Sequence, residues 1–399
     1  MASRFCRSYS SVGPLQRLAQ GIDAVGNAVR QLPLGAKTPF TGKARDWKTA
    51  LGEAQTLLQH EASGPLLDAK NMFGPDLAEL KRNVSSLLGT GHPMVNTVTR
   101  YYFGSDEKSI RPLLVLLVSA ATKDECKAHD VAYSEVFRIV EESDTTHDIV
   151  PTQRRLAQIT EMIHTASLLH DDILETTSTT PIAKGNTEFG NKMAILGGDF
   201  LLARASVALA RLRNPQVIEL MASAIANSVE GEFMQLERPE EKSSSMEYYM
   251  AQTYNKTASL FPKSCKSAAV LGGCHPEVCE TVYDFAHHFG MAYQLIYDLS
   301  GFENAGWRPA LPRSFVSAPV LFAWQEHESL GKLIRRRFKG GGDIEEARSL
   351  VYDSMGLKKT RQLATEHAAK AREKLEELSP SEIRDALEQL CRVVVLGTV

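Results

Sequence analysis

Residues 152–175 read TQRRLAQITEMIHTASLLHDDILE. Apolar side chains recur three and four apart through this stretch, which is the period of a helix with one buried face. The run then delivers three carboxylates, Asp171, Asp172 and Glu175. On a helix Asp171 and Glu175 share a face, and Asp172 lies about 100° further round the axis. Two readings stand at this point. Acidic residues are mostly exposed, so a solvated helix end accounts for them. They also suit Mg²⁺, which takes one or two carboxylates, keeps several waters and completes its shell with phosphate. The apolar IHTASLL immediately before favours the second reading, because it puts the acids at the end of a buried face.

The same three- and four-residue period continues on both sides. It runs through DWKTALGEAQTLLQHEAS, FGPDLAELKRNVSSLL and RPLLVLLVSAATKD before the opening stretch. After it come MAILGGDFLLARASVALARL, NPQVIELMASAIANSVEGEFMQL, MEYYMAQTYNKTASLFPKSCKSAAVL, PEVCETVYDFAHHFGMAYQLIYDL, HAAKAREKLEEL and SEIRDALEQLCRVVVL. Alternating strand patterns are nearly absent, and Gly, Pro, Asp and Ser clusters separate the helices. About ten helices packed around a central cavity are expected, an all-α fold in one domain. Two stretches, 124–153 and RPEEKSSS at 238–245, are expected to be poorly ordered.

Bulk composition narrows the function classes. The chain has 399 residues, 43% hydrophobic and 23% charged, with a net charge of −3. That balance creates no field directing it to nucleic acid. No apolar run is long enough to span a membrane. The six cysteines show no CxxC pair and no zinc-like spacing, so reduced thiols are expected. The first 45 residues stand apart. MASRFCRSYSSVGPLQRLAQG carries Arg4, Arg7 and Arg17, and no acid precedes Asp23. This Arg- and Ser-rich, acid-poor character is that of a mitochondrial transit peptide, leaving 46–399 as the folded domain.

Five segments together, IHTASLLHDDILE, NKMAILGGDFLLARA, ANSVEGEFMQL, TYNKTASLFPKSCKSAAVLGG and FGMAYQLIYD, resemble the trans-polyprenyl diphosphate synthases. The resemblance is greatest to mitochondrial long-chain enzymes that make the ubiquinone side chain, and it covers about residues 47–395. It implies an isoprenoid-synthase-type helical bundle around a central active-site cavity. It also implies Mg²⁺-dependent condensation of isopentenyl diphosphate onto an allylic prenyl diphosphate. Asp171, Asp172 and Glu175 match the first aspartate-rich motif and would hold Mg²⁺, with glutamate in the last place. Lys108 and Arg111 in EKSIRP, with His92 in GTGHP, would bind isopentenyl diphosphate. Lys256, Thr257 and Gln294 would meet the allylic diphosphate. A homodimer, a heteromer with another polyprenyl synthase chain, and peripheral membrane contact for product release also follow from the resemblance. Ala166, five places before the first aspartate, would leave an elongation tunnel open to chains beyond C20. Asp199 reads as a helix-terminal or core acid, beside Gly197 and Gly198, which allow close helix approach.

Two stretches depart from the family pattern. An arginine pair is expected soon after the first acidic motif, but DDILETTSTTPIAKGN offers only Lys184, which lacks arginine's planar fork. In QLIYDLSGFENAGWRPALPRSF, Tyr297 and Gly301 stand where the second motif has its outer aspartates, leaving Asp298. Losing several stabilisers of the departing diphosphate predicts slow turnover, since each is typically worth on the order of 10²–10³ in rate. A catalytically poor partner subunit, or a prenyltransferase of specialised metabolism using another acceptor, are the competing readings.

Overall fold

A helix buried on every side marks the centre of the molecule, and α2 (Ile110–Ala121) is that helix: all twelve of its residues are buried. Its sequence, IRPLLVLLVSAA, is apolar round the whole circumference, which suits a central rather than a surface helix. In this computed structural model the described residues are 72–87, 110–125, 149–176, 184–303, 316–336, 338 and 340–397; for 81–87, 172–176, 184–191, 193, 240 and 303 this means the backbone alone. They form thirteen α-helices and no strand. The expected all-α bundle is observed. DWKTALGEAQTLLQHEAS, most of residues 124–153, Lys108 and His92 lie outside the described residues.

Before α2 comes α1 (Gly74–Leu87), and after it α3 (Pro151–Thr176) and α4 (Lys184–Arg211), which pack side by side. An Arg154–Asp76 ion pair of 3.2 Å ties α3 to α1. Next are α5 (Pro215–Leu236), α6 (Met246–Thr253), α7 (Leu260–Gly272) and α8 (Pro276–Glu303). Helices α3 and α7 pack on α2, and the Gln153 amide donates to Ala268 O across them at 2.9 Å. The chain continues through α9 (Ala318–Glu326), α10 (Ser329–Arg335), α11 (Asp343–Asp353), α12 (Gly356–Leu375) and α13 (Glu382–Leu396). Helix α12 lies along α8, while α9, α10 and α11 close over a second apolar cluster around Phe302, Leu330 and Val351.

Three expectations need correction. Helices α9, α10 and α11 are missing from the sequence reading, because their 7 to 11 residues are too few to establish a period. RPEEKSSS is ordered: a 3₁₀ turn spans Glu240–Lys242, Ser245 caps α6 by accepting from Tyr248 N at 3.1 Å, and Arg238 stacks on the Tyr248 ring. The stretch from Met246 to Leu271 is not one helix, since a π-helical turn interrupts it at Tyr254–Ala258. Cys265, Cys279 and Cys391 are free and buried, as expected of reduced thiols.

Where α8 meets α12, His288 Nδ1 and His367 Nδ1 are 3.0 Å apart, with His287, Asp284, Lys370 and Lys374 around them. Burial, then the neighbouring imidazoles and Lys370, hold both rings far down, at about 4. Unfolded, each ring would take up a proton near its ordinary 6.5. The unfolded chain therefore binds more protons between those limits, and the fold loses stability as pH falls through them. The melting temperature should drop between pH 6.5 and pH 4, and His367→Phe should flatten that slope in a thermal-unfolding series.

Candidate active site

The π turn has a local cause. Pro262 has no N–H to donate to Ala258 O, and its ring crowds that carbonyl. The chain widens by one residue, with Ser259 N donating to Tyr254 O at 2.7 Å. Single π turns of this kind occur often at functional sites. This one carries Lys256 and Thr257. Two glycines make room for it. A Cβ on Gly231 of α5 would lie 2.3 Å from Lys256 N, and one on Gly290 of α8 would lie 2.9 Å from the Phe261 ring and 3.2 Å from Ala258 O. Lys256 Nζ is thereby held between Glu232 Oε1 at 2.6 Å and Gln235 Oε1 at 2.9 Å.

Lys256 and Thr257 face a cleft of about 780 Å³, counting its open mouth. Asp171 of α3 and Arg111 of α2 also line it, together with Glu232 and His164. Its walls are largely apolar, with Ile163, Leu168, Leu202, Ile225 and Leu260 among them. Arg111, at the start of α2, is shielded from solvent, with only 4% of it exposed. Burial lowers its pKa. Its Cζ lies 4.6 Å from the centre of the Phe261 ring, and Nη1 lies 2.8 Å from His164 Nε2. Its Nε is buried and makes no hydrogen bond.

Helix α3 ends at Thr176, and its last turn contains no basic residue. Acids at a helix C-terminus oppose the macrodipole, so a cation beside them relieves an unfavourable arrangement. Asp171 offers hard oxygen donors on the cleft wall. These features fit a divalent cation such as Mg²⁺. The helical backbone carries Asp172 and Glu175 on the same last turn and a half.

Other expected residues stand elsewhere. Gln294 does not reach the cleft lining; its amide donates to Asp298 Oδ1 at 3.1 Å, one turn along α8. Asp298 Oδ2 accepts from Tyr249 Oη at 2.5 Å and from Ala318 N at 3.2 Å. This carboxylate joins α6, α8 and the start of α9. Burial pushes its pKa up, against the three donors, and burial with the Asp298 charge pushes Tyr249 well up. Ala166 is wholly buried in the core, while its neighbours Ile163 and Ser167 line the cleft. Asp199 is neither terminal nor in the core: it sits mid-α4, exposed, 3.5 Å from His170 Nε2. The close helix approach expected at the glycines is observed at Gly198, where a Cβ would lie 2.2 Å from that ring nitrogen. His164, Glu232, Gln235 and Gly231 escaped the sequence reading. For His164 a signal existed: it precedes Asp171 by two helical turns and so shares its face.

The sequence matches the polyprenyl synthetase family model over residues 92–351. The chain belongs to that family. It is similar to the probable mitochondrial hexaprenyl pyrophosphate synthase of Yarrowia lipolytica, with 40% identity over 86% of this chain and 88% of that one. It is also similar to decaprenyl-diphosphate synthase subunit 1 of Schizosaccharomyces pombe, with 38% identity over 82% and 91%. A polyprenyl synthase from Caulobacter crescentus, solved with calcium and isoprenyl diphosphate, superposes with a TM-score of 0.69 at 25% identity, covering 84% of this chain and 98% of that one. The expected fold and family therefore stand, and membership makes the chain a prenyltransferase by descent. No described helix is long and apolar enough to cross a membrane.

Asp298→Ala would remove at one stroke the acceptor shared by the Tyr249 hydroxyl, the Gln294 amide and the N–H at the start of α9. Unsatisfied buried groups each cost on the order of 1–3 kcal/mol, so a loss of about 3 kcal/mol or more is expected in denaturant unfolding.

Proposed function

We infer that this protein is a Mg²⁺-dependent polyprenyl diphosphate synthase, extending an allylic diphosphate with isopentenyl diphosphate to make a long chain for the ubiquinone side chain. The observation that carries this reading is the cleft. Its apolar walls hold a carboxylate, Asp171, together with cations on two other elements, Arg111 and Lys256. Two diphosphates and a hydrocarbon need that combination: fixed positive charge for the leaving group, and walls that keep water from the allylic cation. Residues 1–45 act in this reading as a mitochondrial leader for the 46–399 domain, in keeping with the mitochondrial names of the Yarrowia and Saccharomyces cerevisiae relatives.

Arg111 holds the diphosphate of isopentenyl diphosphate, with Lys108 and His92 assigned to it by resemblance. Lys256 leaves Glu232 to take an oxygen of the allylic diphosphate, and the Thr257 hydroxyl donates beside it. Gln294 supports this wall through Asp298 rather than touching substrate. Asp171, with Asp172 and Glu175, would hold Mg²⁺, which supplies Lewis-acid neutralisation of the departing diphosphate. The C1–O bond of the allylic substrate breaks, the isopentenyl double bond attacks C1, and a proton passes to the released diphosphate. Full-length protein given Mg²⁺, labelled isopentenyl diphosphate and farnesyl diphosphate should yield long prenyl chains. Asp171→Ala should cut the rate by about 10²–10³. Wild-type activity without added divalent metal would overturn the reading.

A second observation favours assembly with another synthase chain. Leu196, Ala203, Val207 and Ala210 form an exposed stripe on α4, and Ala222, Ala226, Val229, Phe233 and Leu236 form one on α5. Phe233 and Leu236 are each 56% exposed. Apolar stripes of this length on a water-soluble surface mark a partner face. A second copy, or a related chain that restores the second acidic motif, fits there. In sedimentation velocity Phe233→Glu should shift the protein to monomer, and an unchanged profile would remove this face from the assembly.

A further inference from the structure

The residue that opens the π turn also ties it to α8. Tyr254 supplies the carbonyl that closes the turn, accepting from Ser259 N at 2.7 Å. Lys256 and Thr257 line the cleft, whereas the Tyr254 side chain turns to α8. There its hydroxyl lies 2.5 Å from the Tyr283 hydroxyl, and its ring centre lies 5.0 Å from that of His287. Burial and the Tyr283 hydroxyl push the Tyr254 phenol up, so it stays protonated at neutral pH. Residues 283, 287 and 290 are spaced four and three apart and share one face of α8. That face receives Tyr254 at one end and, at Gly290, the Phe261 ring and the Ala258 carbonyl. The seat is itself held. Lys266 Nζ of α7 lies 5.4 Å from the centre of the Tyr283 ring and pairs with Glu280 at 2.5 Å, and His287 meets the His288 ring edge-on at 5.1 Å.

We propose that Tyr254 is a positioning residue for the allylic diphosphate: its hydrogen bond to Tyr283 fixes the π turn on α8 and so places the Lys256 ammonium and the Thr257 hydroxyl. This rests on the reading of Lys256 as a ligand of that diphosphate. In that reading Lys256 gives up Glu232 when substrate enters, and the grip of α5 on its Nζ ends. The turn is then held by its backbone against Gly231 and Ser228 on one side and by Tyr254 on the other. A lysine stem absorbs a small shift of the turn. The Thr257 hydroxyl sits one bond beyond Cβ and follows the backbone directly, so it registers any slackening of the anchor. Phenylalanine at position 254 keeps the ring against His287 and removes only the hydroxyl, and phenylalanine at position 283 removes its partner.

The test is calorimetric binding of farnesyl diphosphate, and separately of isopentenyl diphosphate, to the full chain with Mg²⁺. Wild type is compared with Tyr254→Phe, Tyr283→Phe, the double variant and Lys256→Gln, with thermal unfolding followed alongside. Each single phenylalanine leaves one hydroxyl without its partner, whereas the double leaves none, so the double should melt nearer to wild type than either single. Farnesyl diphosphate should nonetheless bind about fivefold more weakly to all three, the scale of one hydrogen bond. Isopentenyl diphosphate binding should be unchanged. Farnesyl diphosphate affinity that returns in the double variant together with its melting temperature would make the hydroxyl pair a packing feature and overturn the proposal. Equal weakening of both substrates would overturn it as well. If the phenylalanine variants bind farnesyl diphosphate as wild type does while Lys256→Gln weakens it, the role of Tyr254 is lost and the reading of Lys256 stands. If Lys256→Gln binds it as wild type does, that reading fails and the role of Tyr254 with it. Should a single variant not fold, the double decides: wild-type affinity there overturns the proposal.

Discussion

A charged side chain at the head of a fully buried helix is the constraint around which the rest is arranged. Helix α2 has no solvent-facing side on which to place Arg111. Burying an unpaired guanidinium is unfavourable by several kcal/mol unless something in the protein or a ligand compensates. The structure compensates it partly, with an aromatic face and one neutral acceptor. Helices α3 and α7 carry those two groups, and both pack directly on α2. Core packing and the cleft's electrostatics are thus set by the same three helices.

Much of this was legible in the sequence because long helices announce themselves. The 26 residues of α3 and the 28 of α8 repeat their apolar positions many times, and the motif residues Asp171, Arg111, Lys256 and Thr257 do converge on one cleft. Legibility stopped where an effect is not periodic. The π turn is encoded by a single proline and by glycines on two other helices, Gly231 and Gly290, far off in sequence. Gln294 and Asp298 fit a motif by position, yet the motif does not say which way a carboxylate turns. Here it turns toward Tyr249 and the α9 start, because three donors are presented there. His164 was hidden for the opposite reason: it lay in plain view inside IHTASLL, but its partner, Arg111, stands 53 positions away.

The departures of the second acidic motif take on a different meaning beside that network. With Tyr297 exposed and Asp298 engaged internally, this segment serves as a joint between α6, α8 and α9. The cleft's cationic side is thus better preserved than its acidic side, a bias toward gripping diphosphates over expelling them.

Val229 belongs to two surfaces at once: it lines the cleft and it lies in the exposed stripe of α5. Any chain laid along that stripe therefore also becomes part of the wall beside which a prenyl tail lengthens. The ruler that sets how many five-carbon units are added would then be written in two polypeptides, and the same chain could measure different lengths in different company.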